Sequence, residues 1–521
     1  MTSTAQRSPR YTIWHPIAFA LQPVISQYAL NAQIVSPLEI IRSAVILLSA
    51  ALLLWLTLGA ILRNKDKAAL LVSLFLFAFF FWGHFVHKFV PPENFFYKTR
   101  YFAGYTAVFA LIAICISFLK PIRQLNRFLN IVGGLLILFP LLSLATSTRD
   151  NLRGNVDDGT STRAQWEETT TKEIARPDVF VFLLDGYSRA DVLLRDYYFD
   201  NSPFLSGLEF RGFRVATNSH ANYSKTLWSL GSALNGDYLD KLLPATLTSS
   251  KNLRPLLRLF HHNRVFEWFR RQGYTLYAFE TGFELADMRD SADHFLAPHH
   301  IGNEFEALLI QLTPIPAIHQ RLSGSNFFFD AHRERIHFVF DHIKQMAETP
   351  ESAPRFVWTH VNMPHDPLVF GPAGEPRQYQ ERFVWGDAPP PQFSWQEYAA
   401  HATEQITYLN GLTLAAIDAL LANTTNPPLI IVASDHGAHN LPHKRCEDSF
   451  KNLTAIYVPP SIACSVPDNI ALVNLFPMVI NALLQGKAAL PLSTELRSYN
   501  VDWPTPYAPV PCIEGNEANV N

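Results

Sequence analysis

Charged side chains are scarce in this 521-residue chain: they make up 17% of it, against 48% for apolar residues. Soluble globular proteins usually carry about 25% charged residues, so the composition argues against a wholly soluble protein. The formal net charge is only −3, which excludes the strong positive field typical of nucleic-acid-binding proteins. The composition therefore predicts a membrane-associated protein with no nucleic-acid partner.

Cysteine is also rare, with four residues in the chain. Cys115 lies inside an apolar run, whereas Cys446, Cys464 and Cys512 lie in the C-terminal part. An oxidising compartment would allow one disulfide among these three and leave one thiol free. We expect one such pair, and its connectivity does not follow from the sequence.

A cleavable signal peptide is not evident, because the first apolar stretch lacks a small-residue cleavage site. The first 147 residues instead contain four uncharged runs, each long enough to cross a hydrocarbon core of roughly 30 Å. A weaker fifth candidate, Ile13–Asn31, is interrupted by histidine and proline. We therefore predict a transmembrane domain of about five helices over residues 1–147, with membrane lipids as partners. The four clear runs are Ser43–Leu62, Ala68–Phe85, Tyr101–Leu119 and Phe128–Ala145.

The distribution of lysine and arginine among the loops predicts the orientation of these helices. One set of alternating loops carries Arg7, Arg10, Arg63, Lys65, Lys67, Lys120, Arg123 and Arg127, and the other carries only Lys88, Lys98 and Arg100. The richer set is expected on the cytoplasmic side. Five spans then place everything after residue 147 outside the cytoplasmic (inner) membrane, in the periplasm. If Ile13–Asn31 lies only at the interface, this conclusion fails.

A polar stretch, residues 148–176, follows the last run and predicts a linker. From residue 177 onward, strand-like segments such as Asp178–Leu184 and Leu429–Ser434 alternate with helix-like segments such as Trp395–Ala422. This alternation predicts an α/β domain over residues 177–521 with a largely parallel sheet covered on both faces. Such sheets place their sites at the C-terminal ends of the strands.

Four residues are candidates for a metal site at that edge. Asp185 follows one predicted strand, Asp435 and His436 follow another, and Thr226 begins a predicted helix. Taken singly, each has a structural explanation as a turn residue or helix cap. Together, two carboxylates, an imidazole and a hydroxyl predict a divalent cation with an oxygen nucleophile beside it. A helix start also favours an anionic substrate.

The order of these motifs resembles the alkaline phosphatase/sulfatase superfamily, over roughly Asp178 to Pro460. The motifs are strand–Asp-Gly-Tyr, Asn-Tyr-x-x-Thr, His-x-x-x-x-His and strand–Ser-Asp-His-Gly. The likeness is greatest to its membrane-anchored branch of phosphoethanolamine transferases, phosphoglycerol transferases and lipoteichoic acid synthases. The resemblance implies an alkaline-phosphatase-like fold and one divalent metal, Zn²⁺ or Mn²⁺. It also implies Thr226 as the nucleophile, and as ligands Asp185, Thr226, Asp435 and His436.

Further residues near these motifs are candidates for substrate contacts. His365 resembles the family histidine that binds the phosphoryl group, and His443 lies in a basic loop after Asp435-His436. Both are expected to stabilise charge or protonate a leaving group. Asn222 and Lys225 flank the nucleophile and are expected to donate to non-bridging oxygens, although an exposed Lys225 is an equal alternative.

Two other histidines are open to a structural explanation. We interpret His360 as a packed strand residue rather than a site residue. His439 and Arg445 lie in the basic loop after Asp435-His436. A position near a phosphate and a position on the solvated surface explain these two residues equally well.

The chain departs from parts of the superfamily pattern. The C/S-x-P-x-R motif of formylglycine sulfatases is absent, and an Asp-x-x-x-His pair for a second metal cannot be placed convincingly. Asp185 stands where the transferase branch commonly has glutamate. Transferase and hydrolase activity therefore both remain open.

The resemblance implies a double displacement. Thr226 attacks a phosphoryl-linked group of a lipid-borne donor, and the resulting phosphothreonine is resolved by an envelope glycan or lipid acceptor. If water resolves it, the enzyme is a phospho- or sulfo-ester hydrolase. A catalytically silent envelope protein that uses the fold for binding or assembly is a third alternative.

Overall fold

The computed structural model describes most of the chain. The described residues are 12–32, 35–90, 99–119, 122–151, 166, 174–243, 253–298, 303–378, 383, 393–422, 426–439, 441–442, 445–495, 497–501 and 510–511. They divide into two compact units. The helical unit comprises residues 1–153 and 301–327, and the α/β unit comprises residues 154–300 and 328–521.

The secondary structure elements follow one another in this order. The α-helices are α1 (His15–Asn31), α2 (Glu39–Ile61), α3 (Lys65–Phe89), α4 (Thr99–Phe118), α5 (Ile122–Asn151), α6 (Ala190–Asp196), α7 (Ser202–Phe210), α8 (Thr226–Ala233), α9 (Leu239–Leu242), α10 (Arg254–His261), α11 (Arg264–Arg271), α12 (Glu304–Gln311), α13 (Ile315–Ser323), α14 (Phe327–Glu348), α15 (Trp395–Ala422) and α16 (Leu472–Leu484). The strands are β1 (Val179–Leu184), β2 (Arg214–Val215), β3 (Thr275–Phe279), β4 (His294–Leu296), β5 (Arg355–Val361), β6 (Leu429–Ala433), β7 (Thr454–Tyr457), β8 (Tyr499–Asn500) and β9 (Val510–Pro511).

Helices α2 to α5 are long and apolar enough to cross a membrane, as the four uncharged runs predicted. Helix α5 continues to Asn151, beyond the predicted end of its span at Ala145. One further helix, α15, meets the same criterion of length and composition. Its apolar side chains pack in the core of the α/β unit instead, among them Tyr398, Ala402 and Ile406, so the apolar face of α15 is a core face.

Helix α1, the weak fifth candidate, is 17 residues long and contains Pro23. Near its start the buried His15 ring makes 2.7 Å contacts with Ser73 Oγ of α3 and Asn126 Oδ1 of α5. Just beyond the middle of the helix, Val24 is 1% exposed and packs in a cluster that includes Ile40 of α2. Because a buried polar group needs a partner, the histidine contacts explain how α1 tolerates its polar start inside the bundle.

The α/β unit is built on a seven-stranded sheet in the order β2-β7-β6-β1-β5-β3-β4. The five strands from β6 to β4 are parallel to one another, whereas β7 is antiparallel to both β6 and β2. The predicted largely parallel sheet is thus confirmed. Strand β5 shows that both faces are covered, because its side chains alternate between two sets of helices. Trp358 contacts Phe266 of α11 and Phe476 of α16, while Val357 and Val361 belong to the core that α14 and α15 complete.

The predicted disulfide is also confirmed. Cys446, in a short 3-10 helix over Cys446–Phe450, is disulfide-bonded. Cys464 carries a free thiol, as does Cys115. The oxidised pair therefore includes Cys446 and excludes Cys464.

Candidate metal centre

The acidic candidates are brought together by the central strands of the sheet. Asp185 directly follows β1, and Asp435 lies two residues beyond β6. Strands β1 and β6 are parallel neighbours, with Leu183 opposite Ala433, so their C-terminal ends meet at one edge. The turn after β1 passes through Gly186 at φ +68°, a left-handed conformation that favours glycine. The N–H of Gly186 donates to Asp435 Oδ1 at 3.1 Å and ties the two strand ends together.

Asp185, Asp435 and His436 form a compact buried cluster. One ligand atom from each lies within 4.8 Å of the others. His436 Nε2 is 3.3 Å from Asp435 Oδ2 and 3.7 Å from Asp185 Oδ1. The three side chains are at most 6% exposed. Two carboxylates at this distance in a buried site repel each other unless a positive charge lies between them.

The hydrogen bonds of this cluster leave the facing atoms available for a cation. Asp185 Oδ1 and Asp435 Oδ2 are buried and have no hydrogen-bond partner among the described residues. The Nδ1 atom of His436 contacts the carbonyl oxygen of Gly437 at 2.8 Å. That contact fixes Nδ1 as the protonated nitrogen and directs the lone pair of Nε2 toward the two carboxylates. The donor set fits a divalent cation, since oxygen and imidazole nitrogen ligands suit zinc.

Thr226 lies beside this cluster, at the start of α8. Its Oγ1 is 3.3 Å from His436 Nε2, and it is the first residue of the helix. One turn later the buried Ser229 hydroxyl donates to the carbonyl oxygen of Asp435 at 2.6 Å. This bond fixes the first turn of α8 against the end of β6, so the Thr226 hydroxyl has a defined position beside the cluster.

His360 is more than the packed strand histidine we expected. It lies on β5, the other neighbour of β1, opposite Leu183. Its side chain is fully buried, and its Nε2 is 3.1 Å from Asp185 Oδ2. Its position near the C-terminal end of a strand did not by itself distinguish this contact from ordinary packing. His360 therefore orients Asp185 so that the other carboxylate oxygen faces His436 and Asp435.

The protonation state of Asp185 also suits a metal ligand. Burial acts to raise the pKa of the Asp185 carboxyl, but the charge of His365 and the hydrogen bond from His360 outweigh it. The pKa is therefore held below its ordinary value. The carboxylate is ionised at neutral pH, which is the form that binds a cation.

A small cleft of about 50 Å³ opens beside the cluster. His365 and His439 border it, and the His439 ring centroid is 4.4 Å from that of His436. The Nδ1 atom of His365 contacts the Asp366 carbonyl oxygen at 2.8 Å, which fixes the orientation of the ring at the cleft. Other lining residues supply an aromatic and aliphatic wall: Leu193, Tyr197, Pro364, Tyr398, Ala402 and Ile406.

Three other residues were predicted to act at the site: Lys225, Asn222 and His443. Lys225 directly precedes the first residue of α8 and is half-buried. Asn222 is 1% exposed, and its amide is used inside the protein. It donates to Tyr238 Oη and the Arg497 carbonyl oxygen at 3.1 and 3.0 Å, and it accepts from the Val473 N–H at 2.9 Å. These contacts give no support to the predicted substrate-binding role of Asn222. His443 lies outside the described residues.

Substituting Asn222 by alanine is expected to lower stability rather than weaken substrate binding. The substitution removes the acceptor of the buried Val473 N–H, and leaving a buried group unsatisfied typically costs about 1–3 kcal/mol. Denaturation midpoints and KM, measured for Asn222→Ala and for Lys225→Ala as the matched neighbour, distinguish the two roles. A raised KM at an unchanged midpoint would restore Asn222 as a substrate contact.

A comparison with known families matches residues 177–459 to the family model described as Sulfatase. No curated protein matches the chain. Similar solved structures include the zinc complex of the C-terminal periplasmic domain of EcEptC from Escherichia coli, at 13% identity and a TM-score of 0.40, covering 63% of this chain and 85% of that one. The C-terminal periplasmic domain of phosphoethanolamine transferase EptC from Campylobacter jejuni has 10% identity and a TM-score of 0.37, with coverages of 61% and 97%. A 4S-sulfatase of Bacteroides thetaiotaomicron has 13% identity and a TM-score of 0.41, with coverages of 65% and 84%.

Proposed function

The chain belongs to the sulfatase family, and from that membership we propose that it is a membrane-bound, metal-dependent transferase. It transfers a phosphoryl-linked group, such as phosphoethanolamine or phosphoglycerol, from a lipid-borne donor to a cell-envelope lipid or glycan. The observation that carries the proposal is the hydroxyl of Thr226, 3.3 Å from His436 Nε2. Helices α2 to α5, long enough to cross a membrane, support a lipid-borne donor.

Four residues would hold one divalent metal, Zn²⁺ or Mn²⁺: Asp185, Thr226, Asp435 and His436. When bound, the cation supplies positive charge that favours the deprotonated threonine hydroxyl and polarises the phosphoryl group. A free threonine hydroxyl is a poor nucleophile at neutral pH, so activation of this kind is required. His360 holds Asp185 in place through its 3.1 Å contact.

The reaction proceeds in two displacements. Thr226 Oγ1 loses its proton to solvent and bonds to phosphorus, while the bond between phosphorus and the donor oxygen breaks. His365, at the cleft beside the cluster, gives a proton to the departing oxygen. The acceptor oxygen then bonds to phosphorus while its proton passes to His365, the bond between phosphorus and Thr226 Oγ1 breaks, and Oγ1 regains a proton from solvent. His443 stays a candidate for the same proton transfers. Lys225, next to Thr226, is proposed to donate to the non-bridging oxygens.

Two features of the helical unit support an extracytoplasmic catalytic domain. Helix α1 contacts Asn126, near the start of α5, through its first residue, and its C-terminal half packs beside Ile40, near the start of α2. Its 17 residues extend over about 25 Å, so α1 acts as the fifth span. The ends of α2 and α3 that meet residues 301–327 are those away from the cationic loop Arg63–Lys67. Sequence continuity then requires the flanking residues of the α/β unit on the same, outer side.

A reporter fused to the C-terminus tests this orientation in the inner membrane. An alkaline-phosphatase reporter, which folds only outside the cytoplasm, is expected to be active, and a fluorescent reporter that matures only in the cytoplasm is expected to stay dark. The opposite pair of signals would place the catalytic domain inside. Fusions ending in the α2–α3 loop, near Arg63, are the matched control and are expected to give the reverse pattern.

A hydrolase of the same family is the nearer alternative, since the matching family model is that of sulfatases. The two activities differ in what resolves the phosphothreonine. Mass spectrometry of lipids and glycans from cells with and without the gene is expected to show a glycan or lipid that loses a phosphoryl-linked group when the gene is absent.

With the purified full chain, product that forms only when an acceptor is present supports transfer. Product release at the same rate without acceptor would establish hydrolysis, and a chain without metal or turnover would establish a silent protein.

A further inference from the structure

Residues 301–327 belong to the helical unit although residues of the α/β unit flank them on both sides in the sequence. Helix α12 is fixed to the bundle by apolar and polar contacts. Phe305 and Leu309, 1% and 5% exposed, pack with Val24 of α1. The Arg42 guanidinium of α2 donates to Glu306, with Nε 2.6 Å from Oε1. Helix α12 is therefore an integral part of the bundle.

Leu312, the residue after α12, contacts α3 close to the end of the apolar span of that helix. The N–H of Gly83 in α3 donates to the carbonyl oxygen of Leu312 at 2.8 Å. A Cβ atom at Gly83 would lie 2.8 Å from Leu312 Cα, so this approach requires glycine. Gly83 lies three residues inside the end of the apolar span Lys65–Val86, which corresponds to about 4.5 Å along the helix axis. Leu312 thus lies at the edge of the membrane-spanning region.

Helix α13 begins three residues after Leu312 and carries an exposed apolar face. Ile315, Ile318 and Leu322 are 42%, 40% and 83% exposed. Their spacing of three and four residues places them on one side of the helix. None of the residues of α13 is buried. Three aliphatic side chains in water at this position would be unfavourable, because each buried methylene contributes about 0.8 kcal/mol.

We propose that α13 lies in the plane of the membrane surface, with Ile315, Ile318 and Leu322 among the lipid headgroups and the first acyl carbons. The occupant of this face is the bilayer, because the face continues from the edge of a span in the same compact unit. Amphipathic helices in this position bury their apolar side roughly 5–10 Å into the headgroup and acyl boundary. Helix α13 would hold this position whatever group the enzyme transfers.

Labelling of the full chain in lipid nanodiscs tests the proposal. In a Cys115→Ser, Cys464→Ser background, which retains the disulfide of Cys446, single cysteines replace Ile318, Leu322 or Ser323 and carry an environment-sensitive fluorophore. Ser323 is exposed and lies about 100° around the helix from Leu322, outside the apolar face, so it is the matched control. Quenching is measured with lipids spin-labelled near the headgroup and with aqueous iodide.

Labels at 318 and 322 are expected to be quenched several-fold more strongly by the spin-labelled lipid than the label at 323, and iodide is expected to quench mainly the label at 323. Equal iodide quenching at all three positions would show that the face is in water. Protection of 318 and 322 from both quenchers would show that protein covers the face. Either result overturns the proposal.

Discussion

Replacing Thr226 by alanine is expected to abolish turnover while the fold and much of the metal binding persist. The substitution removes the only proposed nucleophile, the hydroxyl 3.3 Å from His436 Nε2. Removing one residue of a unit that acts together in covalent catalysis typically lowers kcat by about 10³-fold or more. We expect a loss of that order here. The Asp185, Asp435 and His436 ligand atoms, within 4.8 Å of one another, are left in place. Bound metal, measured by elemental analysis, should therefore stay well above that of a ligand variant.

Thr226→Ser separates the hydroxyl from the methyl group of threonine. Because the oxygen is retained and only the methyl that restricts χ1 is lost, partial activity is expected. Ser229→Ala is an informative companion, since it removes the 2.6 Å bond to the Asp435 carbonyl oxygen without touching the nucleophile. Near-normal turnover of Thr226→Ala would exclude Thr226 as the nucleophile.

Replacing Asp435 by asparagine is expected to lose metal and activity together. The Oδ2 atom of Asp435 is buried without a hydrogen-bond partner among the described residues and lies 3.3 Å from His436 Nε2. Asparagine has nearly the same shape but no charge. Asp185 would then be the one carboxylate left in the cluster to neutralise the charge of a divalent cation. The expected result is an enzyme with little bound metal, no measurable turnover and a lower denaturation midpoint than the metal-loaded parent.

His360→Gln is expected to weaken metal binding less than Asp435→Asn does. His360 contacts Asp185 but is not itself a proposed ligand, so its loss should weaken metal affinity by about 10–100-fold. Activity should then return at high metal concentration. Asp435→Asn should not be rescued in this way. Full metal occupancy in Asp435→Asn would contradict the assignment of Asp435 as a ligand.

The sequence predicted the parts of the fold that depend on local pattern. Helix α15 has the predicted bounds, and β1 and β6 differ from prediction by one residue each. These segments are long apolar or alternating runs, for which periodicity is a strong signal. Asp185, Asp435 and His436 were predictable for the same reason, since each follows such a strand.

Features that depend on tertiary contacts could not be read from the sequence. Residues 301–327 contain no long apolar run, and tertiary contacts such as those of Phe305, Leu309 and Leu312 assign them to the helical unit. Asn222 was predicted to contact substrate, whereas its contacts with Tyr238, Arg497 and Val473 favour a structural role. His360 was ambiguous because a histidine on a buried strand has no sequence signal for the carboxylate beside it.

The central claim, a covalent phosphoryl group on Thr226, is tested most directly by rapid acid quench during turnover, followed by mass spectrometry of the proteolysed full chain. Because the two displacements pass through a phosphothreonine, the account predicts a phosphoryl-containing mass addition on the peptide that carries Thr226. It should be absent from Thr226→Ala and reduced in chelator-treated enzyme. An addition on another residue in the parent enzyme, with the peptide of Thr226 unmodified during turnover, would contradict the account.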